Sequence, residues 1–247
     1  MTALAPRIEW LEETGSTNAD ARERAMAGER GPVWIAAQRQ TAGRGRRGRD
    51  WHSLDGNLFT SGLYVFDRPP GQAAQLSFIA ALAVAAVCDA ALGDAGRTRL
   101  KWPNDVLVDG RKVAGILLES GAAPGGGLWL AIGIGINLVA APEDTERPAI
   151  SLGQVGGPLD RDAALAVLAE AFDREFQSWM RNGFGGVRDH WLARAHGLGE
   201  RCLVRLANET LEGSFGDLGL DGALRLDLAS GQHRYISAGE VFFPAAG

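Results

Sequence analysis

The sequence predicts an α+β fold in which a mixed β-sheet is flanked by helices and followed by a small C-terminal β-barrel. Residues 72–92 form an alanine-rich apolar stretch that repeats at helical spacing and ends at Gly93. Residues 99–138 instead contain extended apolar runs separated by turn residues, which is typical of a sheet. Residues 202–240 offer only short alternating segments broken by glycines, and these predict the barrel.

The N-terminal part of the chain predicts a helix and a strand. The helix covers residues 18–27, with Ser16 or Thr17 as its N-cap and Gly28 as its terminator. The strand covers residues 33–37, which are all apolar.

Residues 40–51 contain four arginines, three glycines and almost no apolar side chain, so they predict a flexible loop. A strand over residues 57–65 and the helix over residues 72–92 come next. A mobile segment with four arginines can close over an anionic ligand and donate several charge-assisted hydrogen bonds. A solvated basic loop without a ligand is the alternative interpretation.

The second half of the chain begins with a hairpin. Asp109-Gly110 stands between apolar runs at residues 106–108 and 113–119, and this dipeptide is the strongest short hairpin signal.

A strand over residues 128–138 follows, and its Gly133 and Gly135 leave room for a group close to the backbone. Helices over residues 160–180 and 187–195 complete the main unit. We therefore divide the chain into a catalytic domain, residues 1–197, and a small barrel domain, residues 198–247.

Lysine is rare in this chain. Of its 25 lysine and arginine residues, only Lys101 and Lys112 are lysines. A compact ammonium group is required where a point charge meets a carboxylate or a phosphate, although chance could also produce this count. The period of two in a strand places Lys112 on the face of Ala114, Ile116 and Leu118. Lys112 is therefore expected to point towards the core or towards a pocket.

The composition limits location and partners. A net charge of −5 argues against a general nucleic-acid binder. Cys88 and Cys202 have no CxxC partner, and we interpret both as buried thiols in a reducing compartment. No basic segment followed by an apolar run stands at the N-terminus, and the apolar run at residues 78–88 is shorter than the roughly 20 residues that cross a bilayer. A cytoplasmic location without membrane contact is expected.

Residues 43–48, GRGRRG, match the GxGxxG pattern of dinucleotide-binding loops. That pattern requires a preceding strand and a helix that opens at its end, and residues 49–53 do not predict a helix. Arginines would also be superfluous in a turn whose backbone amides already bind phosphates. A dinucleotide site is therefore not favoured.

Four segments of the sequence resemble biotin protein ligases. Residues 40–49, QTAGRGRRGR, are similar to the adenylate-binding loop of that family almost letter for letter. Residues 101–105, KWPND, with 110–117, GRKVAGIL, are similar to its second signature. Residues 14–18, TGSTN, resemble its first signature and residues 133–137, GIGIN, its last. With the predicted barrel, the resemblance covers essentially the whole chain.

The resemblance implies a class II synthetase-like catalytic domain and a two-step reaction. The biotin carboxylate attacks the α-phosphorus of ATP to give biotinyl-5′-adenylate and pyrophosphate. A lysine of a biotin carboxyl carrier domain of a carboxylase then takes the biotinyl group. Bringing two anions together requires fixed cations and Mg²⁺ rather than a protein nucleophile. ATP, biotin and Mg²⁺ are the ligands that follow from this resemblance.

The resemblance also assigns the site residues. The implied catalytic residues are Lys112, Arg46 and Asp105. The implied biotin-binding residues are Ser16, Thr17, Asn18, Gln40, Arg44, Gly45, Arg46, Lys112 and Gly115. The implied adenylate-binding residues are Arg44, Arg46, Arg47, Arg49, Trp51, Lys101, Asn104 and Asn137. Asp105 would assist Mg²⁺ or receive the carrier lysine. The candidates for an apolar wall along biotin are Trp102, Leu118, Ile134 and Ile136, which core packing alone would also explain.

Two points depart from the fuller family pattern. Ser16 lies too near the first residue for the DNA-binding domain that some members carry, so no DNA partner is expected. Ala149 stands where an aromatic side chain would stack on adenine, so Asn137 and the backbone around it are expected to do more. The carrier domain is the expected protein partner, and a homodimer is compatible with the sequence.

Two other functions compete with this interpretation. A lipoate or octanoyl protein ligase shares the fold and a lysine, but it uses a glycine-rich arginine motif different from residues 43–49. A non-enzymatic anion- or RNA-binding protein could use the arginine loop alone. The acidic net charge and the scarcity of aromatic residues near the loop, apart from Trp51, argue against base stacking.

Overall fold

The computed structural model describes residues 6–143, 145 and 148–244. It contains a seven-stranded sheet, a five-stranded sheet and four α-helices in the part of the chain that it describes. The strands of the first sheet are β1 (Arg7–Thr14), β2 (Val33–Gln40), β3 (Leu58–Phe66), β4 (Thr98–Lys101), β5 (Asp105–Val108), β6 (Arg111–Ala122) and β7 (Leu128–Ile136). The helices are α1 (Thr17–Met26), α2 (Leu76–Leu92), α3 (Arg161–Asn182) and α4 (Phe184–Leu192).

The first sheet is mixed, as predicted. Its strand order is β1-β2-β3-β7-β6-β5-β4, in which β1 runs parallel to β2 and every other neighbouring pair is antiparallel. The helices flank it, because α2, α3 and α4 join the large apolar core while α1 packs in a smaller apolar cluster with β2, β3 and β7. The predicted α+β class and the mixed, helix-flanked sheet are therefore confirmed.

The hairpin predicted at Asp109-Gly110 is present between β5 and β6. Both residues have positive φ angles, 49° and 74°, as a two-residue turn between twisted strands requires. Strand β1 was not predicted, because four of its eight residues are charged and the alternation breaks after Trp10. The helix expected over residues 187–195 begins earlier and ends earlier, at Phe184–Leu192.

The expected facing of Lys112 is wrong in one respect. Leu107 pairs with Lys112 and Val106 pairs with Ala114, so Val113 is an extra residue that forms a β-bulge. The bulge reverses the alternation, and the ammonium group of Lys112 lies beside Gly115 instead of sharing a face with Ala114, Ile116 and Leu118. The expectation that this lysine points to a pocket holds, since it lines the cleft described below.

The second sheet is antiparallel and lies at the C-terminal end of the chain. Its strands are β8 (Arg201–Arg205), β9 (Thr210–Leu218), β10 (Leu224–Asp227), β11 (His233–Ile236) and β12 (Glu240–Phe242). The order is β11-β10-β9-β8-β12, and within the described residues β11 and β12 are unpaired edges. The predicted barrel is therefore corrected to an open five-stranded sheet, because the three-residue β12 pairs only with β8.

The C-terminal sheet packs on the main unit rather than standing apart. Buried residues of β8, β9 and β10 belong to the same apolar core as α2 and α4, with the rings of Trp191 and Phe215 6.4 Å apart. Trp102 Nε1 donates a hydrogen bond to Gly222 O at 3.1 Å, and Gln75 Nε2 donates to Leu220 O at 2.9 Å. These contacts bring β12 close to the centre of the first sheet.

The apolar segment around α2 is longer than the sequence suggested. Gly71–Leu92 has 22 residues and a mean hydropathy of 1.9 in its most apolar window, so length and composition alone would allow it to cross a membrane. In the fold, 61% of that window is buried, and its side chains pack in the core beneath the first sheet. Burial of this kind is typical of a core helix.

Candidate active site

A cleft of about 440 Å³ opens over the first sheet, a size that suits a small organic ligand. Its walls come from the start of α1, the loop after β2, strands β5 to β7 and strand β12. All the predicted site residues line it except Arg47 and Lys101. Those that do are Ser16, Thr17, Asn18, Gln40, Arg44, Gly45, Arg46, Arg49, Trp51, Asn104, Asp105, Lys112, Gly115 and Asn137.

Lys101 and Arg47 lie just outside the cleft. Lys101 is buried on β4, and its ammonium group is 5.9 Å from the ring centre of Phe243. Arg47 is at the tip of the arginine loop with a positive φ of 57°, and it points to Glu240. Neither lines the cleft, because tertiary packing turns both side chains towards the C-terminal sheet.

One end of the cleft is polar and uncharged. Thr17 N donates a hydrogen bond to Gln40 Oε1 at 2.9 Å, and this orients the amide nitrogen of Gln40 away from the helix. Ser16 occupies the N-cap position of α1, yet its side chain makes no cap hydrogen bond. The capping explanation for Ser16 is therefore not supported, and its hydroxyl group remains for a ligand.

The centre of the cleft holds a charge pair. Lys112 Nζ lies 2.7 Å from Asp105 Oδ1, and the carboxylate side chain is only 8% exposed. The hairpin and the bulge place the two residues on adjacent strands with their side chains on the cleft side. A nearly buried carboxylate fixes the ammonium group in one position, which is what preorganised charge stabilisation requires.

The arginine loop is more regular than its composition predicted. Gly45 N donates to Arg49 O at 2.7 Å, Trp51 N donates to Gly43 O at 3.0 Å, and Arg44 pairs with Asp50 as an isolated bridge. The loop is thus a tight turn folded over the cleft. Its mobility in solution stays a prediction.

Arg46 is the deepest of the loop arginines. Its Nη1 donates to Asn104 Oδ1 at 3.1 Å, and the Asn104 amide in turn donates to Ile116 O at 2.8 Å. Burial lowers the pKa of Arg46, repulsion by Arg47 and Arg49 lowers it further, and the neighbouring Asp105 carboxylate opposes this change. Arg46 remains charged despite this lower pKa. An anion bound between Arg46 and Lys112 would offset the free-energy cost of burying the guanidinium charge.

Two glycines expected to leave space are filled by the protein's own side chains. A Cβ at Gly135 would lie 2.3 Å from the indole of Trp51, and one at Gly133 would lie 2.4 Å from Asn18 Oδ1. Trp51 also covers Gly115, with its ring 5.6 Å from Lys112 Nζ. The indole Nε1 is buried, and it has no hydrogen-bond partner among the described residues.

Glu240 of β12 is a cleft residue that sequence reasoning missed. Its side chain is 8% exposed and forms an ion pair with Arg49. Arg47 Nη1 lies at 3.5 Å and Arg205 Nη1 at 3.9 Å from its carboxylate. The carboxylate of Glu240 therefore links the C-terminal sheet to the arginine loop. No local motif marks Glu240, since only the fold brings it to the loop.

The apolar wall is smaller than expected. Of its four candidates, only Ile134 lines the cleft. Trp102, Leu118 and Ile136 pack in the main core instead, and the indole of Trp102 faces the C-terminal sheet. Thr60, Ile116 and Leu117 line the cleft and were not foreseen.

The segment beside Lys112 is built by backbone pairing. Lys112 N donates to Pro148 O at 2.9 Å and Ile150 N donates to Lys112 O at 2.9 Å. The backbone at Ala149 therefore pairs with the backbone at Lys112 as an isolated parallel bridge. Asn137 Nδ2 donates to Ile150 O at 3.2 Å. Asn137 therefore fixes this segment at the cleft, and its own amide is engaged with the backbone.

The described residues contain no group of three or more His, Cys, Asp or Glu side chains that could hold a metal ion by themselves. The acidic side chain at the centre is Asp105, which is paired with Lys112. One carboxylate is enough for Mg²⁺ that binds together with nucleotide phosphates, because the phosphates supply most of its other ligands. One carboxylate is not enough for a metal site built from protein side chains alone.

Comparisons with known proteins cover nearly the whole chain. The sequence profile of the Biotin/lipoate A/B protein ligase family matches residues 13–137, and that of the Biotin protein ligase C terminal domain matches residues 197–243. The biotin–[acetyl-CoA-carboxylase] ligase of Paracoccus denitrificans is 44% identical over 242 residues, covering 94% of this chain and 99% of that protein. The enzyme of the same name from Mycobacterium tuberculosis is 35% identical, covering 95% and 88%.

Among solved structures, the biotin protein ligase from Aquifex aeolicus in complex with biotin and ATP superposes with a TM-score of 0.80 at 27% identity. The match covers 96% of this chain and 97% of that chain, so it includes both sheets. The chain therefore belongs to the Biotin/lipoate A/B protein ligase family.

Proposed function

We propose that this protein activates biotin with ATP to biotinyl-5′-adenylate and transfers the biotinyl group to a lysine of a biotin carboxyl carrier domain of a carboxylase. One observation carries the proposal. A single cleft joins an uncharged polar end at Thr17 and Gln40 to a cationic centre at Lys112 and Arg46. Relatives named as biotin ligases support the choice of substrate.

The charges suit the first step. Biotin would lie with its ureido ring at the polar end and its carboxylate towards Lys112. The α-phosphate of ATP would face the same ammonium group and the Arg46 guanidinium. Lys112 and Arg46 would then offset the repulsion between the two anions and stabilise the negative charge that develops as the new oxygen–phosphorus bond forms and pyrophosphate leaves.

Asp105 would hold Mg²⁺ together with the nucleotide phosphates, and the ion would supply charge neutralisation on those phosphates when bound. In the second step the same carboxylate would accept a proton from the carrier lysine, because it is the acidic group next to Lys112. Trp51 and the arginine loop would cover the adenylate and exclude water from it.

The same proposal covers organisation and location. Residues 1–197 act as the catalytic domain and residues 198–247 support the arginine loop through Glu240. A cytoplasmic enzyme that uses no DNA or membrane partner is proposed, and a homodimer is compatible with it.

A lipoate or octanoyl protein ligase is the alternative within the family, and it is not favoured. Lipoate has no ureido ring, so it would leave the polar groups of Thr17 and Gln40 unpaired.

Pyrophosphate release distinguishes these candidates. We expect the protein with ATP and Mg²⁺ to release pyrophosphate when biotin is added and to show no stimulation with lipoate or octanoate. Release that depends on lipoate or octanoate, and not on biotin, would contradict the proposal.

A further inference from the structure

The cleft has a third region beyond its cationic centre. Along β7, the side chain of Asn18 covers Gly133 at the polar end, and Trp51 covers Gly135 at the centre. Asn137, which also lines the cleft, follows two residues later, roughly 6–7 Å further along an extended chain. The polar end, the centre and the Asn137 end therefore succeed one another in this order. A group attached to a phosphate at the centre would extend towards Asn137, away from the polar end.

The wall of this third region is the segment over residues 138–150, which leaves the end of β7 and returns to the cleft. Three of its described residues line the cleft, namely Pro142, Thr145 and Ala149. The return is fixed by backbone pairing, because Ala149 forms the bridge to Lys112. Pro142 closely follows Ala140 in the chain, so the course of the backbone at Ala140 decides where the wall enters the cleft.

Two buried side chains hold the start of this segment. Asn57 Oδ1 accepts hydrogen bonds from Val139 N at 2.9 Å and from Ala140 N at 3.2 Å. Asn57 Nδ2 donates to Ala140 O at 2.8 Å. Ser151 Oγ donates to Val139 O at 2.9 Å. The N–H and C=O groups of both Val139 and Ala140 are therefore paired with side chains, where a strand would pair them with a neighbouring strand.

Asn57 is placed to act on this wall and not on a ligand. It is fully buried and does not line the cleft. A buried amide is costly unless its hydrogen bonds are made, and the side chain of Asn57 makes them with Val139 and Ala140. Its own position is fixed by β3, because Leu58 pairs with Ile136 at the end of β7. Asn57 thus ties the start of the wall to the first sheet.

We propose that Asn57 is a positioning residue for the nucleoside of ATP. It fixes the backbone at Val139 and Ala140, so that the wall stands where the nucleoside packs. The proposal rests on the proposed function and deepens it, because ATP is the nucleotide of the activation step. The phosphates would be held by Lys112 and Arg46, and biotin by the polar end. Loss of the Asn57 amide should therefore weaken binding of the nucleoside and leave the other two parts of the cleft intact.

The test compares the full-length wild type with Asn57→Ala in the biotin-dependent release of pyrophosphate. We expect the KM for ATP to rise roughly tenfold and kcat at saturating ATP to change little, because the lost contact acts on nucleotide binding. Inhibition by inorganic tripolyphosphate, which offers phosphates without a nucleoside, should keep its inhibition constant. Titration calorimetry with biotin alone should give a Kd close to that of the wild type.

Ser151→Ala is the milder variant, since it removes one hydrogen bond to the same segment, and it provides the test where Asn57→Ala does not fold. We expect it to raise the KM for ATP by a smaller factor. Asp160→Ala is the matched control, because it removes the N-cap hydrogen bond of α3, and Asp160 does not line the cleft. It should lower the thermal midpoint of unfolding and keep the wild-type KM for ATP.

A KM for ATP that stays unchanged in the folded variants would overturn the inference and leave the proposed function intact. Equal weakening of ATP, tripolyphosphate and biotin would overturn it as well, because a merely structural role of Asn57 would have that result. A wild-type protein that releases no pyrophosphate with biotin and ATP would overturn the proposed function together with the inference.

Discussion

Lys112 is held at the centre of the cleft by the bulge at Val113 and by the carboxylate of Asp105. The bulge turns its side chain to the side of Gly115, where a larger residue would collide with the lysine and with Trp51. The nearly buried carboxylate then limits the ammonium group to one position. Position and charge are therefore fixed before any ligand binds, which is the condition for efficient charge stabilisation.

Replacement of Lys112 should impair adenylate formation severely. Losing one preorganised cation at a developing charge lowers the rate on the order of a hundredfold or more. We expect this loss for Lys112→Ala and also for Lys112→Arg, because a planar guanidinium cannot occupy the place of a compact ammonium group. Single-turnover formation of the adenylate measures the effect.

Arg111→Ala is the control, since Arg111 is exposed beside the hairpin and does not line the cleft. It should keep a rate close to that of the wild type. Single-turnover rates for Lys112→Arg that match the wild type would contradict the assignment of Lys112.

His196 should make stability depend on pH. Burial lowers its pKa below the usual value and repulsion by Lys101 and Arg99 lowers it further, while Glu200 opposes this change. As pH falls through the unfolded value of about 6.5, the unfolded chain binds a proton before the folded chain does, so stability decreases. Above that pH both states are neutral at this residue and the effect is absent.

The measurement is the thermal midpoint of unfolding at pH 7.5 and at pH 5.5. We expect the decrease between these values to be smaller in His196→Gln than in the wild type. An equal decrease in both proteins would mean that His196 does not contribute in this window.

Part of the site could be predicted from single residues and part could not. The rarity of lysine drew attention to Lys101 and Lys112 alike, because the chain otherwise uses arginine for positive charge, and of the two Lys112 lines the cleft. Glu240 has no such signal. It depends on an ion pair with Arg49, which is far from it in the sequence.

The arginine loop is the element on which the site closes. Its first residues are tied to the end of β1, since Thr41 N donates to Thr14 O at 2.9 Å and Ala42 N donates to Gly15 O at 2.8 Å. Its far side is held by Glu240 through Arg47 and Arg49. Between these anchors the loop contains no buried apolar side chain other than the partly buried Trp51.

Limited proteolysis with trypsin should therefore report ligand binding. With Trp51 as its one apolar anchor the loop is expected to open in the free protein, and bound adenylate supplies anionic partners for its arginines. We expect cleavage after the loop arginines in the free protein and much slower cleavage with biotin, ATP and Mg²⁺. Equal cleavage rates in the two states would indicate a loop that is rigid throughout.

Glu240→Gln should loosen the loop without changing the polar end of the cleft. It removes a carboxylate that faces three arginines, so the loop should be cleaved faster and the KM for ATP should rise several-fold. The affinity for biotin alone should remain close to the wild-type value. Glu212→Gln, at an exposed ion pair with Arg201, is the control. An unchanged KM for ATP would contradict a role of Glu240 in holding the loop.

Secondary-structure elements could be predicted from the sequence where their local sequence pattern is strong. Asp109-Gly110 predicted its hairpin because both positions need positive φ angles, which this dipeptide tolerates. The edge strand β1 escaped prediction, since its charged residues hide the alternation. The bulge at Val113 could not be foreseen, because it depends on the register of β5 against β6. The barrel was expected from short segments, but closure is a property of pairing that such segments do not determine.

The whole molecule shares one large apolar core between its two sheets. Phe215 of the C-terminal sheet is fully buried against Trp191 of α4, and Leu224 and Leu226 join the same cluster as α2. The C-terminal sheet thus stabilises the main unit while it brings Glu240 to the cleft. Loss of the sheet would expose the apolar surface of α2 and α4.

The two sheets should therefore unfold together. Phe215→Ala should lower the free energy of unfolding by about 3–5 kcal/mol, as expected for a large aromatic side chain removed from a core. Urea denaturation followed by tryptophan fluorescence and by circular dichroism should give coincident single transitions in the wild type and in the variant. Tyr235→Ala, at an exposed position of β11, should change stability little. Two separated transitions would show that the sheets are independent domains.

Transfer of biotin to a carrier is the direct test of the central claim, which is that this cleft joins biotin to a protein lysine through an adenylate. The measurement is streptavidin detection of a purified biotin carboxyl carrier domain after incubation with this protein, biotin, ATP and Mg²⁺. We expect labelling that requires ATP and that is lost with Lys112→Ala. A carrier that remains unlabelled by the wild-type protein under these conditions would contradict the account.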